Sequence, residues 1–176
     1  FVIFLAGFAF QLTIILKKSH QKKMLYPFNS ITGGIRSILH GLIPFGASYM
    51  RRYPTLAIVT TVFHACLLVV PLFLLAHVVV WHESWKVLWP TLPDRAADGM
   101  TVAVLVSCLF FAVRRLVVPE AKKLTRASDF ILLAIIALPF LSGFLAAHQI
   151  GPYRSMLILH VLSGDVLLII IPFTRL

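Results

Sequence analysis

Acidic residues are scarce in this 176-residue sequence, which has six Asp and Glu against sixteen Lys and Arg. Only two cysteines are present, Cys66 and Cys108, and they form neither a CxxC nor a CxxCH pattern. This usage argues against a covalent c-type haem and a structural iron–sulfur cluster, so we expect two free thiols. Charged residues make up 12% of the chain and hydrophobic residues 60%, with a mean hydropathy of +0.95. A soluble domain of this length does not tolerate such a composition, and the sequence therefore predicts a membrane protein.

Five apolar stretches are candidates for membrane spans, each of which needs roughly 17 to 25 residues. They cover residues 1–16, 56–81, 99–118, 130–147 and 156–173. The first stretch is short and the last is followed by no tail, so we expect the chain to be clipped at both ends. We predict a single all-α transmembrane domain over residues 1–176, built as a five-helix bundle.

The distribution of positive charge predicts the orientation of this bundle. Thirteen of the sixteen Lys and Arg lie in the connections and the tail on one face. Because positively charged loops stay inside, we expect the N-terminus outside and the C-terminus inside. The charges do not cluster as a groove-reading surface, so no nucleic acid is expected. Residues 30–50 have apolar positions at helical spacing, which favours either a short helix on the inner surface or a platform for a soluble subunit.

Two histidines lie inside separate spans at the same expected depth. His77 precedes Trp81 by four residues and His160 follows Met156 by four, which places each about 6 Å from the outer edge. An imidazole in hydrocarbon is costly unless its ring nitrogen is used, so a depth-matched pair indicates a metal clamp, with haem b as the candidate. The alternative is that each ring is a core histidine bonded to a backbone carbonyl.

A third intramembrane histidine, His64, lies thirteen residues before His77. That spacing is about 20 Å of helix, enough to stack two haems across a bilayer. Ideal periodicity turns the two side chains roughly 140° apart, and Pro71 between them can change the phase. A partner for His64 is missing: the ligand lies beyond Leu176, or His40 supplies it, or there is only one haem.

The segments "FHACLLVVPLFLLAHVVVW" and "LHVLSGDVLLIIIPFTRL" resemble the membrane b-type cytochromes of the nitrate reductase γ subunit. They are closest to the cytochrome b subunits of sulfate-reducer transmembrane redox complexes of the Hmc, Tmc and Dsr type. The resemblance implies that His77 and His160 ligate an outer haem b and His64 one side of an inner haem, with the fourth ligand two positions beyond Leu176. The gap between His64 and His77 is wider than in the nitrate reductase pattern.

The resemblance also implies an electron carrier between two faces of the membrane. A menaquinone site would adjoin the outer haem, and the inner face would bind an iron–sulfur subunit of the heterodisulfide-reductase type, alongside other membrane and multihaem cytochrome c subunits. We therefore predict a haem-containing subunit of a respiratory quinone oxidoreductase complex. The competing hypothesis is a haem-free transporter or scaffold, in which Asp165, His148 and His160 form a proton relay.

Several further polar residues suit this chemistry. A quinone needs a proton acceptor and a donor to its carbonyl oxygen, for which His82, His148 and Lys86 are suitable. Asp165, whose insertion costs about 2.5 to 3.5 kcal/mol when charged and unpaired, is a candidate proton carrier. Haem propionates can be bound by arginine guanidinium groups, for which the candidates are Arg51, Arg52 and Arg154.

Each of these assignments has a simpler alternative explanation. Membrane topology explains the arginines on the inner face, and anchoring of helix ends at the interface explains outer polar and aromatic residues. Four small residues lie near the predicted haem ligand His160 or in the fourth span: Ser142, Gly143, Ser163 and Gly164. They let a flat macrocycle approach a helix closely, or they serve ordinary helix packing.

Overall fold

The computed structural model describes residues 2–25 and 51–174. Within these ranges it consists of seven α-helices and one 3₁₀ turn, with no strand, which confirms the all-α prediction for the described residues. The elements are α1 Val2–Leu25, α2 Pro54–Phe73, α3 Leu75–Trp85, α4 Asp94–Val117, α5 Pro119–Leu124, α6 Ala127–Ala147, α7 Tyr153–Ile170 and the turn Ile171–Phe173. The predicted inner-surface segment 30–50, which includes His40, lies outside the described residues.

Four helical stretches are long and apolar enough to cross a membrane. They are Pro54–Phe73, Asp94–Val117, Ala127–Ala147 and Tyr153–Phe173. A helix of 20 residues is about 30 Å long, which matches the hydrocarbon thickness of a bilayer. These four overlap the predicted second to fifth spans. The fifth crossing, by α1, and the orientation of the termini stay predictions.

The described residues divide into two compact units, one with residues up to 57 and from 164 onwards, the other with residues 58–163. In the first unit, α1 packs against the C-terminal 3₁₀ turn. Gly7 makes this close approach possible, because a Cβ atom there would lie 2.9 Å from Phe173 Cζ and 3.0 Å from Pro172 Cβ. The single domain predicted over 1–176 stays a prediction.

The core of the unit 58–163 lies between α4 and α6, an antiparallel pair joined by the short α5. Val104, Ile136 and Ser142 are almost completely buried there. Buried hydroxyls along this interface donate to carbonyls one turn earlier on their own helix, as Thr101 does to Ala97 and Ser142 to Leu138. Small and internally bonded side chains allow two helices to pack closely where lipid offers no hydrophobic driving force. Cys66 and Cys108 are buried free thiols, as expected.

The sequence predicts one helical span over residues 56–81, whereas the structure has two helices there, α2 and α3. Leu74 adopts an extended conformation between α2 and α3, three residues after Pro71, which cannot donate a helical hydrogen bond. The break leaves carbonyls open to other donors: His77 Nδ1 lies 2.9 Å from the Pro71 oxygen, Trp89 Nε1 2.7 Å from Leu72, and the Leu92 amide 2.8 Å from Phe73. Irregular backbone at membrane depth is tolerated only when its polar groups are satisfied in this way.

We predict that Trp89→Phe destabilises the protein because it removes the indole donor from the Leu72 carbonyl. An orphaned carbonyl of this kind costs about 1 to 3 kcal/mol of unfolding free energy. Trp85, which is 71% exposed, provides the matched control, and Trp85→Phe should have a much smaller effect. Thermal unfolding of the purified protein in detergent measures both variants, and equal destabilisation by the two contradicts the role given to Trp89.

Candidate functional site

The rings of His77 on α3 and His160 on α7 lie side by side. Their centroids are 5.8 Å apart and their planes differ by 13°. Both side chains are partly buried, in helices separated by more than 80 positions of sequence. The structure thus brings together the two imidazoles whose depths match in the sequence.

Each of the two rings is held by a backbone carbonyl through its Nδ1 atom. His77 Nδ1 lies 2.9 Å from the Pro71 oxygen, and His160 Nδ1 lies 2.8 Å from the Pro139 oxygen. A carbonyl oxygen only accepts, so Nδ1 carries the hydrogen in both rings and, when the ring is neutral, the lone pair is on Nε2. Among the described residues no donor is bonded to either Nε2. The pair therefore presents two basic nitrogens without a protein partner.

Gly143 makes the anchoring of His160 possible. It follows Pro139 by one turn of α6, and a Cβ atom at this position would lie 2.7 Å from His160 Nδ1 and 2.8 Å from Cε1. Any side chain at position 143 would therefore push the imidazole away from the Pro139 carbonyl. Sequence reasoning identified Gly143 as a small residue but missed the carbonyl; the signal was a glycine one turn after a proline.

His64 is exposed on α2 and has its own anchor. Its Nδ1 atom lies 2.7 Å from the carbonyl oxygen of Thr60, one turn earlier, and its ring contacts Phe63 edge to face. No second imidazole lies beside it in the described part of the chain. The proposed fourth ligand beyond Leu176 and the alternative His40 both fall outside the described residues.

His82 and Lys86 lie together at the end of α3, joined through Glu83. The carboxylate of Glu83 is 3.9 Å from both His82 Nδ1 and Lys86 Nζ. Lys86 ends the helix in a left-handed conformation, with φ of 57°. All three side chains are exposed, so each of these groups is accessible.

His148 at the end of α6 pairs with Asp98 near the start of α4. Its Nε2 atom lies 3.1 Å from Asp98 Oδ1, and its ring packs on Phe144 with centroids 4.4 Å apart. Because the carboxylate accepts, Nε2 carries the hydrogen, and Nδ1 is the basic nitrogen of the neutral ring. Sequence reasoning missed Asp98 as a partner, although antiparallel neighbours necessarily bring the start of α4 to the end of α6.

The remaining predicted site residues are Asp165 and three arginines. Asp165 is exposed on α7, and in the described residues it has neither a hydrogen bond nor an ion pair. Arg51, Arg52 and Arg154 are exposed, with the Arg52 guanidinium 6.0 Å from the Tyr53 ring. Across residues 2–25 and 51–174, no three His, Cys, Asp or Glu side chains converge on a common metal position.

The fold and this arrangement are compatible with a helical multi-pass membrane protein. No model of a known protein family matches the chain, and no solved structure matches it. A protein of Nitratidesulfovibrio vulgaris (strain Hildenborough), named only as "Protein", is 36% identical over 146 residues, or 83% of this chain. The chain spans 65% of the length of that relative.

We predict that Gly143→Ala destabilises the protein because the new methyl group displaces the His160 ring. Overpacking of this kind costs about 1 to 3 kcal/mol. Gly164→Ala on α7 is the matched control, since nothing lies within 4 Å of its Cβ position and alanine favours a helix. The unfolding free energy in detergent checks both, and a Gly143→Ala protein as stable as Gly164→Ala contradicts the close approach.

Proposed function

We propose that this chain is a haem b-containing subunit of a respiratory membrane complex, in which His77 and His160 would hold the iron of an outer haem. The observation that carries the proposal is the pair of parallel imidazoles, each fixed at Nδ1 and each with a free Nε2. The resemblance of both histidine segments to membrane b-type cytochromes supports it. When bound, haem supplies reversible one-electron redox chemistry.

The residues present fit a bis-histidine haem. Neutral imidazole is the commonest metal ligand among side chains, and His77 and His160 would hold the iron of haem b through their Nε2 atoms. The two rings lie near each other, with centroids 5.8 Å apart. This separation lies within the range of about 4.5 to 7 Å for offset-stacked rings, so the support for a metal ligand role comes from the free Nε2 atoms and not from the distance.

The chain's own contribution is to fix the ligand nitrogens before binding. The carbonyls of Pro71 and Pro139 accept hydrogen bonds from the two Nδ1 atoms, which sets the tautomer and leaves the lone pair of each neutral ring on Nε2. Gly143 leaves room for the His160 ring. Arg154 on α7, six residues before His160, is a candidate partner for a propionate through its guanidinium fork.

His64 is the proposed ligand on one side of an inner haem. Its Nδ1 atom is bonded to the Thr60 carbonyl, so its Nε2 atom is free in the same manner as in the outer pair. The second ligand would follow Leu176, and Arg51 and Arg52 are the candidate propionate partners at this end. We propose that the two haems together carry electrons from one face of the membrane to the other.

Two polar clusters at helix ends, His148 with Asp98 and His82 with Lys86, suit a menaquinone site at the outer face. Asp98 accepts the Nε2 hydrogen of His148 and so directs its basic Nδ1 elsewhere, where it can take a proton from a quinol hydroxyl. His82 and Lys86, held through Glu83, supply a second titratable group and a donor. By resemblance, an iron–sulfur subunit of the heterodisulfide-reductase type binds the inner face, with other membrane and multihaem cytochrome c subunits alongside.

This proposal includes the finer topology: five spans, an outer N-terminus and an inner C-terminus, in the inner membrane of a bacterium. No observation favours the haem-free relay of Asp165, His148 and His160. His148 is bonded to Asp98 and His160 to Pro139, while Asp165 is five residues from His160 and thus roughly 140° around the helix.

We predict that His77→Leu and His160→Leu each remove one haem from the full-length protein purified from membranes. A dithionite-reduced minus oxidised spectrum measures the α-band absorbance, and the loss should be the same for either variant because one iron needs both ligands. His82→Leu is the matched control, and its spectrum should equal that of the unsubstituted protein.

Two outcomes contradict the proposal. A purified protein without any α-band absorbance under conditions that supply haem leaves the cofactor without support. Equal loss in the His77, His160 and His82 variants shows that the substitutions act through general instability, and the assignment of His77 and His160 as ligands is then withdrawn.

A further inference from the structure

The exposure of residues along α7 divides the helix into two faces. Its less exposed residues are Met156, His160, Ser163, Gly164, Leu167 and Ile170, most of them three or four positions apart. Asp165 is two positions from both Ser163 and Leu167, so at 100° per residue it lies roughly 160° away from each. The carboxylate therefore lies on the side of α7 that the described residues leave uncovered.

Around Asp165 this uncovered side is apolar. Ile158 is 51% exposed, Leu162 59% and Ile169 39%, and all three lie one or two turns from Asp165 along the same side. We call these four residues the Asp165 face. Only 6% of the most apolar part of Tyr153–Phe173 is buried, compared with 28% for the helices α4 and α6.

Asp165 lies at mid-membrane depth. It follows Tyr153 by twelve residues, about 18 Å of helix, and precedes Phe173 by eight, about 12 Å. A carboxylate in hydrocarbon needs an opposite charge or a donor, and such residues face a partner rather than lipid. The Asp165 face therefore needs something more than lipid tails to cover it.

The described part of the chain offers no cation at this depth. Every described Lys and Arg lies in a terminal turn of a long helix, in the polar end of α1, in α5 or in a connection. A second copy of the described chain likewise supplies no Lys or Arg at mid-span, and only the exposed His64 could approach from it. Charge complementarity thus points to a different membrane protein as the source.

We propose that the Asp165 face docks a transmembrane helix of another subunit, which places a Lys or Arg opposite Asp165 near the middle of the bilayer. Polar pairs of this kind hold membrane helices together and set their register. The proposal names a surface and the chemistry of its partner, and it stands whether or not His77 and His160 hold haem.

Photo-cross-linking in the native host tests this proposal. A photoreactive phenylalanine derivative replaces Leu162 on the Asp165 face in the full-length protein, and mass spectrometry identifies the attached peptide. The control position is Leu109 on α4, which is 64% exposed and also lies eight residues before the end of its helix. We expect Leu162, and not Leu109, to cross-link to a membrane-spanning peptide of a different protein with Lys or Arg near its centre.

A second set of variants ties the cross-link to the carboxylate. The yield should fall at least tenfold in Asp165→Leu and persist in Asp165→Glu, and it should return when Asp165→Lys is combined with an acidic replacement of the partner's basic residue. A single symmetric elution peak in detergent verifies that each variant is folded.

The alternative outcomes overturn the proposal. They are attachment to lipid alone, to a second copy of this chain, to residues 26–50 of the same chain or to a soluble protein, absence of any cross-link, and a yield that Asp165→Leu leaves unchanged. None of these results changes the α-band test of the His77 and His160 variants, so failure of the docking proposal and failure of the haem proposal are distinguishable.

Discussion

Two hydrogen bonds from imidazole Nδ1 atoms to backbone carbonyls are the interactions on which the functional interpretation depends. In an apolar medium a histidine cannot satisfy both ring nitrogens with water, so fixing one nitrogen on a carbonyl leaves the lone pair of the other available to a ligand. Pro71 and Pro139 provide the carbonyls for His77 and His160. The alternative interpretation, a core histidine bonded to a backbone carbonyl, therefore accounts for Nδ1 of each ring and leaves Nε2 unexplained.

The break at Leu74 explains how the chain supplies the first of these carbonyls. A continuous helix uses its carbonyls internally, whereas the extended residue between α2 and α3 leaves three consecutive oxygens for His77, Trp89 and Leu92. The segment after α3 thus returns to complete the hydrogen bonding of the break. On the opposite side, Gly143 gives access to a carbonyl without breaking α6. A break in the helix at Leu74 and a glycine at position 143 thus each give one histidine ring access to a backbone carbonyl.

Sequence reasoning predicted the helical class, the four long apolar helices and the depth match that brings His77 and His160 together, because hydrophobic length and helical rise are local properties. The break at Leu74 and the His148–Asp98 pair were not predicted. Both depend on tertiary contacts that side-chain periodicity does not encode. Spacing alone predicts that Asp165 lies on a different side of the helix from His160, because five positions correspond to about 140° around the axis. Its exposure could be read only from the packed structure.

Electron paramagnetic resonance of the oxidised full-length protein tests the central claim most directly, in a His64→Phe variant that isolates the proposed outer haem. Near-parallel axial imidazole planes give a rhombic low-spin ferric signal, whereas near-perpendicular planes give a strongly anisotropic one. The 13° between the planes of His77 and His160 predicts the rhombic signal. A strongly anisotropic signal, or no low-spin ferric haem at all, contradicts the account.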